Sequence, residues 1–145
     1  MKPIWLNQKT VVLSGASSGI GRELVKELVN DYDCTIYGIG RNQKDMESLS
    51  LELKENKNRL FSFLFDVSKQ ENWHMFLQQL QARNVIPDIL INNAGMLPPF
   101  SRFVPTKSNE IWKSSKIILN QGIMSFIITK SIYNLHLVSQ FSPKK

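Results

Sequence analysis

The sequence predicts an α/β fold, a doubly wound parallel sheet whose strands take the order 3-2-1-4, with helices on both faces. Three observations carry that expectation. Short apolar runs alternate along the chain with amphipathic segments of helical period. The runs are nearly continuous in apolar residues, as in strands buried on both faces. A glycine-rich turn stands directly between the first run and the first amphipathic segment. The chain has 145 residues, enough for one domain and too few for two, so residues 1–145 are read as a single unit.

Thr10-Val11-Val12-Leu13 ends abruptly in Ser14-Gly15 and reads as the first strand. Ile20, Leu24, Val25, Leu28 and Val29 then recur at helical spacing and mark one apolar stripe. The turn is Asn30-Asp31-Tyr32-Asp33, where Asn or Asp can adopt the left-handed conformation. A second strand spans Cys34 to Ile39, followed by a polar helix from about Gln43 to Asn56 with Met46, Leu49 and Leu53 as its inward side. The third strand is Leu60 to Phe65. Ser68-Lys69-Gln70-Glu71 has the form of a capping box, opening a helix with Trp73, Phe76, Leu77 and Leu80 as its stripe. Asp88 to Asn92 is the fourth strand. Beyond a loop containing Pro98, Pro99 and Pro105, a long helical segment is expected from about Asn109 to Leu137.

Composition narrows the function classes. A hydrophobic fraction of 42% and a charged fraction of 21% belong to a globular protein. Cys34 is the single cysteine, which excludes a disulfide framework and a cysteine-rich metal site. His74 and His136 are isolated, so no metal is expected. The start, Met1 to Lys9, lacks the apolar core of a signal peptide, and a cytoplasmic location is expected. The most apolar stretch, Ile117 to Thr129, contains Asn120 and Gln121 and falls short of the roughly 20 residues a membrane span needs. The net charge of +6 lies entirely in residues 101–145, where seven basic side chains face Glu110 alone. They are scattered without a cluster, which disfavours a nucleic-acid partner.

The motif that carries most chemistry is Ser14-Gly15-Ala16-Ser17-Ser18-Gly19-Ile20-Gly21, between strand and helix. Gly15 permits a tight turn, Gly19 lets the backbone approach a pyrophosphate, and Gly21 permits close packing of helix on sheet. Ser17, Ser18 and Ile20 complete the candidate contacts, and the helix N-terminus offers unpaired N–H groups to phosphate. The spacing is G-x-x-x-G-x-G, neither the commoner G-x-G-x-x-G nor a Walker loop.

This loop resembles the cofactor loop of the short-chain dehydrogenase/reductase family. Three further features stand where that family would place them. Asp66-Val67 closes the third strand and is similar to the family's adenine contact. Asn92-Asn93-Ala94-Gly95 closes the fourth and is similar to its Asn-Asn-Ala-Gly motif beside the adenosine ribose. Asn120, in the long helix, resembles the asparagine of the catalytic tetrad, which in the family holds a water of the proton relay. The resemblance covers about residues 8 to 138. It implies a Rossmann-like NAD(P)-binding domain and hydride transfer to or from an alcohol or carbonyl.

The end of the second strand bears on the choice of cofactor. An NAD site places a carboxylate there, about 20 residues past the glycine loop, to bind the ribose 2′-hydroxyl. Here Gly40-Arg41-Asn42 stands instead, with no acid between Cys34 and Lys44. Arg41 can pair with the 2′-phosphate, a charge-assisted contact worth about 1.5–3 kcal/mol. NADP(H) is therefore expected over NAD(H).

The family's proton donor is a Tyr-x-x-x-Lys pair with an upstream serine, the lysine lowering the tyrosine's pKa. Tyr32 has Ile36 at that spacing, Tyr37 has Arg41, and Tyr133 has Leu137. Residues 1–145 are accordingly expected to be one incomplete domain, truncated after the fourth strand and the following helix. Such a chain would be inactive alone, and an alcohol or carbonyl would be its substrate only if the domain were completed. A non-catalytic nucleotide-binding or interaction protein is the alternative. The fourth strand would then have an uncovered apolar edge, and self-association is expected.

Overall fold

A computed structural model describes residues 3–95. Four strands form one parallel sheet: β1 (Thr10–Ser14), β2 (Thr35–Gly40), β3 (Leu60–Leu64) and β4 (Ile89–Asn92), in the order β3-β2-β1-β4. Between them run α1 (Gly19–Tyr32), α2 (Gln43–Glu52) and α3 (Gln70–Ala82). The expected strand order is the observed one. The chain steps from β1 outward to β3 and then returns to lay β4 on the other side of β1. That reversal opens a crevice beside the β1 end, where ligands bind in open α/β sheets.

β1 is central, and its apolar run is divided between two cores. Val11 and Leu13 pack with Val25, Leu28, Met46 and Leu49 of α1 and α2. Val12 faces the opposite side with Tyr37, Ile39, Phe63, Trp73 and Phe76, under α3. A strand buried on both faces has no solvent side on which alternation could show, which accounts for its unbroken apolar sequence. Trp73 is fully buried and donates its indole N–H to the Val67 carbonyl at 2.9 Å, fixing α3 to the loop after β3.

Local chemistry explains where helices stop. α1 continues through Tyr32 and ends at Asp33, whose φ of 53° is the left-handed conformation expected of the 30–33 turn. α2 is shorter than the sequence suggests. Lys54 has φ of 50°, which breaks the α-helix after Leu53, and Lys54–Arg59 continue as a 3-10 helix. Leu53 remains buried. Ile20 departs from the α1 stripe: it stands in the first turn, ahead of the sheet contact, and is 80% exposed. α3 is capped at Lys69 without a side-chain bond, so the capping box at Ser68 is not the cap. Ser68 N–H instead donates to the Asp66 carboxylate at 2.9 Å, a turn that precedes the helix.

No helix among the described residues is long and apolar enough to cross a membrane. The long helical segment expected from about residue 109 to 137, and Asn120 within it, lie outside the described residues.

Candidate functional site

Because the sheet is parallel, the C-terminal ends of all four strands share one edge. That edge carries the loop 14–21, Gly40 to Asn42, Asp66-Val67 and Asn93 to Gly95. The glycine loop is held there by close contacts that side chains would prevent. Gly15 has φ of 72°, and a Cβ on it would stand 2.9 Å from both the Ala94 Cα and the Asn93 Nδ2. A Cβ on Gly21 would collide with the Gly15 carbonyl and stand 2.5 Å from Asn93 Nδ2. Gly21 therefore lets α1 close upon its own loop and the end of β4, more than upon the sheet face. Ala16 N–H donates to the Ile39 carbonyl at 3.0 Å, tying the loop to β2. A Cβ on Gly40 would stand 3.0 Å from Ser17 Cβ, so this strand glycine also makes room for the loop.

The other side of the loop is open. Gly19 has φ of 55° and nothing within 4 Å of where a Cβ would be. Ser18 is the extended residue before α1, and its side chain makes no capping bond. The first N–H groups of a helix have no partner within it, so α1 turns its positive end toward this open side.

A clasp joins the loop to β4. The buried Ser14 hydroxyl accepts from Asn93 N–H at 3.1 Å and Ala94 N–H at 3.0 Å. In return the Asn93 amide donates to the Ser14 carbonyl at 3.2 Å and the Gly15 carbonyl at 3.3 Å. Asn93 thus spends its side-chain donors on the loop backbone. In the sequence Ser14 ends the first strand and opens the glycine motif, with no role of its own. No local pattern could reveal its role, because its partners lie 79 and 80 residues away.

Arg22 is a second position the sequence does not single out. Its guanidinium donates to the Ser17 carbonyl at 3.1 Å and to the Asp45 carbonyl at 2.8 Å. It also reaches Ser48 Oγ at 2.9 Å and Glu52 Oε1 at 2.8 Å. The arginine therefore ties the glycine loop to α2. Glu52 is held below its ordinary pKa, first by that Arg22 hydrogen bond. At the start of α2, the Asn42 side chain accepts from Lys44 N–H at 3.0 Å and Asp45 N–H at 3.3 Å. Its oxygen is the N-cap of α2, and Arg41 is fixed between this cap and Gly40.

Arg41 is exposed and borders an open depression with Asn42, Gln43, Lys44 and Glu47. Its charge is felt by Asp66. Burial pushes the Asp66 carboxyl up, but the Ser68 amide and hydroxyl together with Arg41 and Lys69 outweigh it, and the pKa is lowered. The Asp66 carbonyl accepts from Asn72 Nδ2 at 3.0 Å, and Val67 beside it is buried. Gly95 is exposed at the end of this edge. Among the described residues, no group of three His, Cys, Asp or Glu side chains is placed to hold a metal.

A profile of the short chain dehydrogenases matches residues 9–130. The chain belongs to the short-chain dehydrogenase/reductase family. It is 26% identical over 121 residues to a benzil reductase ((S)-benzoin forming) of Saccharomyces cerevisiae, covering 82% of this chain and 45% of the yeast protein. It is 30% identical over 107 residues to an NADPH-dependent pterin aldehyde reductase of Arabidopsis thaliana, covering 74% of this chain and 40% of the plant protein. A crystal structure of a short chain dehydrogenase from Bacillus anthracis superposes with a TM-score of 0.72 at 23% identity, covering 87% of this chain and 52% of that one. The chain thus spans about half the length of the dehydrogenases/reductases it matches. Members of this family use a nicotinamide dinucleotide, and the edge described above is this chain's candidate site for it.

Proposed function

We propose that this chain is the cofactor-binding part of an NADP(H)-dependent oxidoreductase. In that reading the pyrophosphate lies over Gly19 at the open end of α1, against the backbone of residues 17–21. Arg41 takes the 2′-phosphate, Asp66 and Val67 border the adenine, and Ala94 and Gly95 border the ribose. Asn42 and Asn93 act by fixing Arg41 and the glycine loop. The nicotinamide, when bound, gives or accepts a hydride, and the other reactant is an alcohol or carbonyl.

The observation that carries this reading is the combination at one edge of an uncapped helix N-terminus, a loop whose exposed Gly19 leaves its backbone open to a ligand, and an exposed arginine. Each suits a polyanion bearing an extra phosphate. The name of the Arabidopsis relative points the same way. Asn120 is proposed, by the family resemblance, to hold a water of the proton relay.

Residues 1–145 contain no Tyr-x-x-x-Lys, so we propose that this chain by itself binds the cofactor without turnover. Calorimetric titration with NADPH, paired with an absorbance assay of NADPH consumption against aldehydes and ketones, tests both halves. Saturable binding with no consumption is the expected result. Absence of binding by a folded chain would overturn the proposal, and carbonyl-dependent consumption would overturn its second half.

A further inference from the structure

β3 is the end strand of the sheet, and its outer side is unpaired among the described residues. Phe65 N–H donates to the Gly40 carbonyl at 3.0 Å, so odd-numbered residues here turn their backbone groups toward β2. By the alternation of a strand, Leu60, Ser62 and Leu64 turn theirs outward. Leu60 N–H closes the preceding 3-10 turn onto Lys57. That leaves the N–H groups of Ser62 and Leu64 and the carbonyls of Leu60, Ser62 and Leu64 on the open edge.

The strand reads the same in both directions: Leu60-Phe61-Ser62-Phe63-Leu64. It also lacks the lysines, acids and prolines by which edge strands avoid pairing. Phe61 is 37% and Leu64 48% exposed. Beside the edge runs a groove of about 550 Å³ between β3 and α3, lined by Phe61, Phe65, Met75 and Arg83 among others.

We propose that two copies of this chain pair antiparallel along β3, about a two-fold axis at Ser62, to form one continuous sheet. This register pairs every outward group except the Leu64 carbonyl, whose facing Leu60 N–H is spent on Lys57. Ser62 exchanges both bonds with Ser62 of the second copy, and each Leu64 N–H reaches a Leu60 carbonyl. Phe61 falls opposite Phe63 of the second copy at the non-hydrogen-bonded positions, where side chains come closest. The ends match in charge as well, since Lys57 and Arg59, in the 3-10 turn just before β3, come to the end of the strand where Asp66 of the second copy stands. A parallel arrangement would supply neither the palindromic contacts nor the charge match. β4, the other end strand among the described residues, has no such self-complementary sequence.

Sedimentation of the 145-residue chain at tens of micromolar tests this, with Ser62→Pro and Leu64→Lys as variants. Proline at an outward N–H of an edge strand leaves the β2 pairing intact and removes both reciprocal Ser62 donors. The wild type is expected at twice the mass of one chain, with association weakened about ten- to a hundredfold in either variant. A monomeric wild type overturns the proposal. A dimer unaffected by the variants also overturns it, and assigns the contact to β4 or to residues 96–145. Should circular dichroism find either variant unfolded, Ser62→Cys decides. Air oxidation is expected to give a disulfide-linked dimer, because residues facing one another across such a pair are within disulfide range. No cross-link above that of an Ile86→Cys control overturns the proposal.

Discussion

Ser14 shows how much of this site rests on single polar atoms. Its hydroxyl accepts two backbone N–H groups, from Asn93 and Ala94, in a place closed to water. Ser14→Ala would leave both donors without that acceptor, at a cost of about 1–3 kcal/mol. Urea denaturation of the variant and the wild type measures it, and a cost near zero would mean that other groups satisfy these donors. Asp66 gives a pH signature. Its pKa is lowered in the folded state, so its contribution to stability is fully present above the ordinary value of 3.8 and is lost as the pH falls through the lowered one. Asp66→Asn should therefore destabilise at pH 7 and cease to matter in strong acid. Urea midpoints of variant and wild type should converge as the pH drops below 3.8; a gap independent of pH would assign the residue a neutral hydrogen-bonding role.

At the scale of elements, α2 is the part whose position most directly sets the proposed specificity. Its N-cap is Asn42, next to Arg41. Removing the cap by Asn42→Ala should cost about 1 kcal/mol. It should also weaken NADPH binding by loosening Arg41, an effect that NADH would not share. The elements themselves were largely legible in the sequence, because each strand is an apolar run and each helix a stripe of period 3.6. Most of what was hidden is non-local. Arg22 looks like an ordinary helix arginine, yet its partners lie on another helix. Asn93 looks like a ligand contact by resemblance, yet its amide is bound to the glycine loop. Ile20 fits the spacing of a buried stripe, but spacing carries no information on where the sheet ends. The left-handed turn at Lys54, which shortens α2, has no glycine or asparagine to announce it.

At the scale of the whole molecule, the described residues place two cores on opposite faces of one sheet, and the glycine loop, Gly40 to Asn42, Asp66-Val67 and Asn93 to Gly95 on one edge of it. In the proposed reading, that arrangement lets the loop, Arg41 and the β4 end hold one extended ligand together. A ligand bound only by the folded state adds about 2.7 kcal/mol of stability at a hundredfold excess over its Kd. NADPH should accordingly raise the thermal midpoint of this chain. Gly21→Ala, which forces α1 away from the Gly15 carbonyl, should lose most of that gain.

The most direct test is the ratio of the NADH and NADPH dissociation constants, measured by calorimetry for the wild type and for Arg41→Ala. Binding of NADPH about ten- to a hundredfold tighter than NADH, with the preference abolished by the substitution, is the predicted result. Equal or tighter binding of NADH by the wild type, or a preference that survives Arg41→Ala, would contradict the assignment of Arg41 to the 2′-phosphate.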